Sequence, residues 1–131
     1  MPVVRGEDCP IHQHAPGIRR QFLVNGRTGA TALSVVPAEW QPGFGPLPHQ
    51  HGYEEVFLFL AGTGEGEVDG ERVEVRPGTA VIVPAGTRHS FTNTGTTPLG
   101  LVAVYDSPDQ DGASRPSPVC PDDVRPLVCL P

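Results

Sequence analysis

The chain has no lysine, and its nine basic residues are all arginine. They are scattered singly except for the pair Arg19 and Arg20, and the formal net charge at pH 7 is −6. A protein that binds nucleic acid through its phosphates usually carries a basic stripe or patch, and this sequence has none. The composition therefore argues against a DNA- or RNA-binding function.

Long hydrophobic runs and a secretory leader are also missing. The longest apolar stretch covers residues 56–61, far short of the roughly 20 residues that a membrane-spanning helix needs. The N-terminus begins Met-Pro-Val-Val-Arg and has neither the basic start nor the apolar centre of a signal peptide. We therefore expect a cytoplasmic protein with no membrane partner.

Cysteine is scarce, and its pattern does not indicate a disulfide framework. Cys9, Cys120 and Cys129 make an odd number, and no pair has the C-x-x-C spacing of a metal site. In a reducing compartment we expect free thiols. A bridge between Cys120 and Cys129 stays open as an alternative, because prolines between them favour a closed loop.

Aromatic residues make up only 6% of the chain, whereas glycine and proline each number 16 among 131 residues. This balance favours many short strands joined by tight turns, and no window shows a helical period. A chain of this length is expected to form one domain with a real core. The composition thus predicts an all-β fold.

The first chemistry-bearing segment runs from Gly43 to Gly62 and has the form G-x5-H-x-H-x3-E-x6-G. Side chains on a strand alternate between its faces, so His49 and His51 are predicted to project the same way. Glu55 shares their parity and Glu54 does not. We therefore assign Glu55 as a metal ligand and Glu54 as a surface group.

The second segment runs from Gly78 to Asn93 and has the form G-x5-P-x-G-x2-H-x3-N. Its Pro-Ala-Gly turn predicts that a new strand begins just before His89. That histidine then comes from a different strand than the first three candidates. Three imidazoles and one carboxylate that meet at one point are typical of a mononuclear divalent-metal site.

The two segments together resemble the two motifs of the cupin superfamily. The resemblance implies an all-β double-stranded β-helix, or jelly-roll barrel, with irregular N- and C-terminal arms. It also implies that His49, His51, Glu55 and His89 bind one divalent metal. We divide the chain into an N-terminal arm with the first strand (1–30), the cupin barrel (31–105) and a proline-rich C-terminal arm (106–131).

Strand boundaries follow from turn residues and alternation. We expect Phe22–Val24 and Thr31–Val36 as the first strands, joined by a hairpin connection, with Pro37 ending the pair. Asp69-Gly70 predicts a tight turn between 64–68 and 71–75. Further strands are expected at 79–83, as a buried strand, and at 88–94 with His89.

Some side chains are assigned to the walls of the pocket. Phe57 and Phe91 are expected to form a dry wall around the metal, and Trp40 is either a core residue or a pocket wall, with the core favoured. Tyr53 and Arg88 flank the ligands, and we take both as structural rather than substrate-orienting. A second metal site at His12 and His14 is disfavoured, because no carboxylate follows at the matching distance.

The segment 56–60 is apolar on both faces, which predicts a second covering surface and hence a homodimer. The resemblance makes dimerisation the usual state as well.

Three imidazoles and one carboxylate leave one or two coordination positions of the metal open. An open position favours a metal-dependent enzyme that acts on a small oxygen-bearing substrate. The donor set is compatible with iron, manganese, nickel or zinc. The resemblance implies dioxygenase, isomerase, or polyketide cyclase or lyase chemistry, with Glu55 also a candidate catalytic base. The alternative is a non-catalytic, metal-containing barrel that binds a small acid or sugar.

Overall fold

The computed structural model describes residues 1–109, which fold almost entirely as antiparallel β-strands. Short 3-10 turns lie at Gly6–Asp8 and Gly26–Thr28. In this described part of the chain the strands are β1 (Ile11–Ala15), β2 (Ile18–Gln21), β3 (Ser34–Trp40), β4 (Glu55–Ala61), β5 (Gly64–Val68), β6 (Glu71–Val75), β7 (Ala80–Val83), β8 (His89–Asn93) and β9 (Leu99–Tyr105).

The strands form two sheets that pack against each other. One sheet has the order β1-β2-β3-β9-β4-β7 and the other has the order β6-β5-β8. All the pairings between these strands are antiparallel. The expected all-β jelly-roll barrel is thereby confirmed. Within residues 1–109, no helix has the length and apolar character required to cross a bilayer.

An aromatic cluster holds the two sheets together. Phe57 and Phe59 on β4 contact Phe91 on β8 with ring centroids 4.8 and 5.5 Å apart, and Trp40 lies 6.0 Å from Phe59. All four rings are buried. Opposite Phe91 on β5 is Gly66, where a Cβ atom would lie 2.3 Å from the ring. Glycine is required there because the aromatic ring occupies the space that a side chain would fill.

Asn93 connects the end of β8 to neighbouring loops. Its side-chain amide donates hydrogen bonds to the carbonyls of Trp40 (2.9 Å) and Thr97 (2.8 Å) and accepts one from the backbone N–H of Gly95 (2.9 Å). Because the side chain is buried, these bonds offset the cost of removing its polar atoms from water. The last fixed position of the second motif therefore has a structural explanation.

The hairpin formed by β5 and β6 has the predicted boundaries. Its turn residues Asp69 and Gly70 have φ values of 51° and 79°, the left-handed pair that a two-residue hairpin turn requires. The prediction for β7 was wrong in one respect. Val81 and Val83 are buried, but Ile82 between them is 63% exposed, because only one face of this edge strand meets the core.

The N-terminal strands differ from the expectation. Residues 11–21 form the β1–β2 hairpin, whereas a strand was predicted at Phe22–Val24. The strand β2 ends at Gln21 because the N–H of Leu23 turns back to the Gln21 carbonyl at 3.0 Å. Asn25 then caps the 3-10 turn in place of a simple hairpin connection.

Pro37 was predicted to end a strand. It lies inside β3 instead. Val35 donates its N–H toward the β2 side, to the carbonyl of Val24, and Pro37 has the same parity. The pairing of β2 with β3 stops at Arg20↔Ala38, and the next bridge is Val24↔Val35. The missing N–H of Pro37 therefore falls in a gap of the ladder, where no donor is needed.

Part of the outer face of the six-stranded sheet, over β9, β4 and β7, is apolar. Neighbouring strands β9, β4 and β7 place aliphatic side chains there in register, and Leu60 and Ile82 are 55% and 63% exposed. The residues that make up this outer face are Val56, Leu58, Leu60, Ile82, Val102 and Val104. The homodimer expected from the sequence stays a prediction, and this face is where a second copy would pack.

We expect sedimentation equilibrium to give a mass of twice 13.9 kDa for the protein and a reduced mass for Leu58→Arg. A guanidinium at the centre of an apolar interface would be buried without a partner, at a cost of several kcal/mol. Thr92→Arg, on an exposed position of the other sheet, is the matched control and should remain dimeric. A monomeric wild-type protein would show that the prediction is wrong.

Cys120, Cys129 and the proline-rich arm from residue 110 lie outside the described residues, so the expectations for them stay predictions. Cys9 is a free thiol.

Candidate metal centre

The four predicted ligands come from the ends of strands and from the loop that precedes β4. Glu55 is the first residue of β4, and His89 is the first residue of β8. His49 pairs with His89 through reciprocal backbone hydrogen bonds of 3.0 and 2.9 Å. The motif spacing predicted that His49 and His51 lie on a regular strand. They do not, because the His49–His89 bridge is the one strand-like pairing in which these two histidines take part. That bridge fixes the first motif against the second.

The side chains of His49, His51, Glu55 and His89 converge on one point. One nitrogen or oxygen atom from each lies within 4.8 Å of every other. The Glu55 Oε1 atom is 3.1 Å from His89 Nε2 and 3.3 Å from His51 Nε2. Glu55 and His89 are almost completely buried, whereas the other two are partly exposed. Among residues 1–109, this is the group that has the composition and spacing of a metal site.

Backbone carbonyls orient two of the imidazoles. His49 Nδ1 donates to the Leu47 carbonyl at 2.6 Å, and His89 Nδ1 donates to the Thr87 carbonyl at 2.9 Å. A carbonyl can only accept, so each Nδ1 carries a proton, and each ring in its neutral form would present the Nε2 lone pair to a metal. In metal sites of proteins, such a hydrogen bond from the ring nitrogen that does not bind the metal usually fixes the orientation of the histidine.

The environment favours the protonation states that a metal requires at two of the ligands. Burial lowers the pKa of His49 and so favours the neutral ring. Burial acts to raise the pKa of Glu55, but the neighbouring rings of His51 and His89 and the hydroxyl of Tyr105 together bring it below its ordinary value. In the absence of an ion the pKa of His89 is raised: burial lowers it, but the hydrogen bond to Glu55, the hydrogen bond to the Thr87 carbonyl and the Glu55 charge together outweigh that effect.

His51 gives a direct test of whether a cation fits. Its Nε2 atom is buried and has no hydrogen-bond partner, although Glu55 lies 3.3 Å away. Its ring is held by Tyr53, which stacks on it at 5.0 Å with an angle of 9° between the planes. A buried polar atom without a partner is costly, and a metal ion at the point of convergence would satisfy it. The three-nitrogen, one-oxygen donor set fits a divalent transition metal.

The site opens into a cavity of about 420 Å³ with mostly apolar walls. His49, His51 and Glu55 line this cavity, as do Trp40 and Phe57. Trp40 is therefore both a core residue and a pocket wall. Phe91 is not among the lining residues: it lies behind Phe57 because its ring fills the space over Gly66 in the core.

The remaining candidates have other positions. Arg88 is exposed, and Tyr53 supports His51 from the side. His12 is buried against Phe22 at 5.5 Å, and His14 lines the cavity, so these two do not form a second cluster in the described chain.

Tyr105 was missed as a functional residue, although the alternation of β9 gives a signal for it. Every second residue of β9 from Leu99 is buried, which places Tyr105 inside the barrel. It is paired with Glu55 across strands β9 and β4, and its hydroxyl helps to lower the pKa of Glu55. Burial, and then the Glu55 charge, hold the pKa of Tyr105 well above its ordinary value, so it stays a hydrogen-bond donor.

Three relatives are identical to this chain at about a third of the matched positions. Protein SchB of Streptomyces halstedii is 32% identical over 76% of this chain and 73% of its own length. Dimethylsulfoniopropionate lyase DddW of Ruegeria pomeroyi is 35% identical over 67% of this chain and 57% of its own length. Tetracenomycin polyketide synthase protein TcmJ of Streptomyces glaucescens is 31% identical over 72% and 63%. The chain thus spans about three fifths of the last two.

The fold is also that of a solved structure, KdgF from Halomonas sp., with a TM-score of 0.72 and 22% identity over 84% of this chain and 97% of that one. Residues 38–105 match the family described as the Cupin domain, a segment that contains both motifs and all four converging side chains. The chain belongs to the cupin family.

Proposed function

We propose that this protein is a metal-dependent enzyme that acts on a small oxygen-bearing organic molecule by lyase or cyclase chemistry. The observation that carries the proposal is the convergence of three imidazoles and one carboxylate at the wall of an apolar cavity. Structural metal sites are closed by protein ligands, whereas catalytic sites leave a position open to substrate. Here three of the four ligands face the cavity.

His49, His51, Glu55 and His89 would hold one divalent ion, with iron, manganese, nickel and zinc all compatible. Such an ion supplies Lewis-acid chemistry toward a carbonyl or enol oxygen. The protein itself favours ionised Glu55 through His51, His89 and Tyr105, and fixes His49 and His89 through their Nδ1 bonds. Trp40 and Phe57 exclude water from the cavity, which strengthens the electrostatic interactions inside it.

Glu55 is also the candidate proton acceptor. It is the acidic side chain on the cavity wall among the described residues, and its pKa is held below the ordinary value. A carboxylate within reach of a bound carbonyl compound can remove a proton next to the carbonyl group, which is the first step of many eliminations and cyclisations. Among the similar proteins, DddW is named as a lyase, which supports lyase chemistry over dioxygenase or isomerase chemistry, and TcmJ is named as a polyketide synthase protein, which supports a polyketide-like substrate.

The test is turnover by the metal-loaded protein with β-diketones, short polyketide mimics and β-substituted acids, followed by mass spectrometry with an oxygen electrode in the same vessel. We expect product formation without oxygen uptake and its loss after chelation. Oxygen uptake that matches product formation would overturn the lyase or cyclase assignment in favour of a dioxygenase. Tight binding of these compounds without turnover would overturn the enzymatic proposal in favour of a binding protein.

A further inference from the structure

The cavity contains a cationic side chain that the two motifs do not supply. Among the described residues that line it, Arg20 is the one arginine and Glu55 the one carboxylate. Most other lining residues are apolar. With a divalent ion bound beside Glu55, positive charge in this cavity exceeds negative charge, which favours an anionic occupant.

Strand pairing explains why Arg20 faces the cavity. Arg20 is paired with Ala38 on β3, and Ala38 also lines the cavity. Ile18 shares the parity of Arg20 and is buried on the same face. Arg19 has the opposite parity and forms an ion pair with Glu39 at 2.6 Å on the exposed side of the sheet.

The guanidinium group is held by an aromatic ring and belongs to the same cavity as the metal centre. Its central carbon lies 4.9 Å from the centre of the Phe22 ring, a cation–π contact that restricts the side chain. Its charge also acts on Tyr105, where it partly opposes the rise in pKa. Tyr105 is in turn paired with Glu55 across strands β9 and β4. Arg20 and three of the four metal ligands thus line the same cavity.

We propose that Arg20 recognises a carboxylate group on the substrate, so that the natural substrate is a small organic acid whose other oxygen faces the cluster of His49, His51, Glu55 and His89. This inference rests on the proposed function for the role of the cluster. A planar guanidinium binds a carboxylate with two parallel hydrogen bonds, which gives orientation as well as affinity. Arg20 comes from the β1–β2 hairpin, outside the 38–105 family match, so it would set the specificity of this chain in particular.

The experiment compares three carboxylates with their neutral amides on the metal-loaded protein by isothermal titration calorimetry. The pairs are acetate with acetamide, pyruvate with pyruvamide, and benzoate with benzamide, which differ in charge and hardly in size. We expect each pair that fits to favour the carboxylate. In Arg20→Gln we expect this preference to fall by about tenfold or more, because a hydrogen bond between two charged groups is lost.

Arg19→Gln is the matched control, since this neighbouring arginine points away from the cavity, and it should keep the full preference. Arg20→Lys keeps the charge and should retain part of the preference for carboxylates. Affinity for the amides should stay unchanged in all variants. If Arg20 only maintained the shape of the cavity, its replacement would weaken the binding of amides as well. An equal preference in wild type and Arg20→Gln, or no preference in any pair, would overturn the inference. If the carboxylate preference is observed but the wild-type protein turns over none of the test compounds, the result would instead count against the proposed function.

Discussion

Replacement of Glu55 by glutamine is expected to lower the affinity for a divalent metal by more than about 100-fold. Loss of a residue that only hydrogen-bonds to a metal ligand already lowers metal affinity by about 10- to 100-fold. The amide has nearly the same shape but no negative charge to offset the ion. His89 retains an oxygen to which it can donate, so the buried site keeps that hydrogen bond. Metal content after dialysis, together with competition titration against a chelator, measures the effect.

Glu54→Gln provides a control one residue away on the same segment. The Glu54 side chain is exposed, and its contact with the rest of the fold is through its carbonyl, which accepts from the N–H of Asp106 at 3.0 Å. This variant should bind metal as wild type does. Stoichiometric metal at unchanged affinity in Glu55→Gln, or a loss in Glu54→Gln, would show that the assignment by parity is wrong.

Replacement of Gly45 by alanine should destabilise the fold by about 3 kcal/mol, at the upper end of the cost of overpacking. A Cβ atom at this position would lie 2.0 Å from the carbonyl oxygen of Phe91 and 3.0 Å from the Cα of Thr92. These are backbone atoms of β8, which cannot rotate away as a side chain would. The loop must then move off β8, and that loop leads directly to His49. Urea denaturation followed by circular dichroism measures the change.

Gly52→Ala is the matched substitution in the same motif. Nothing lies within 4 Å of a Cβ atom built there, and the backbone is not in the left-handed region. We expect it to be neutral or stabilising by up to about 1 kcal/mol, because alanine restricts the unfolded chain. Similar unfolding midpoints for the two alanine variants would mean that the contact between the loop and β8 is not as close as described.

The local part of the prediction was the successful part. Turn chemistry gave the β5–β6 hairpin correctly, because the left-handed conformations of Asp69 and Gly70 depend on those two residues alone. The motif spacing also named the four side chains that the structure brings together. The regular strand assumed for His49 and His51 does not exist, yet both still face the site, because the His49–His89 bridge and further backbone hydrogen bonds tie the loop to β8.

Errors arose where a residue's position depends on distant parts of the chain. Phe91 was correctly expected in the interior, but whether it faces the cavity or the core depends on the space over Gly66, 25 residues earlier in the sequence. Pro37 is a strand breaker by its own chemistry, and only the gap between two bridges of the ladder makes it acceptable inside β3.

The sequence by itself determined the fold class, the hairpin turn and the identity of the four converging residues, since alternation and turn preference act over a few residues. Only the tertiary structure decided what surrounds them. The pairing of β2 with β3 brings Arg20 to the cavity, and the pairing of β9 with β4 brings Tyr105 to Glu55. These pairings join residues far apart in the chain, and the packing of the whole barrel selects them.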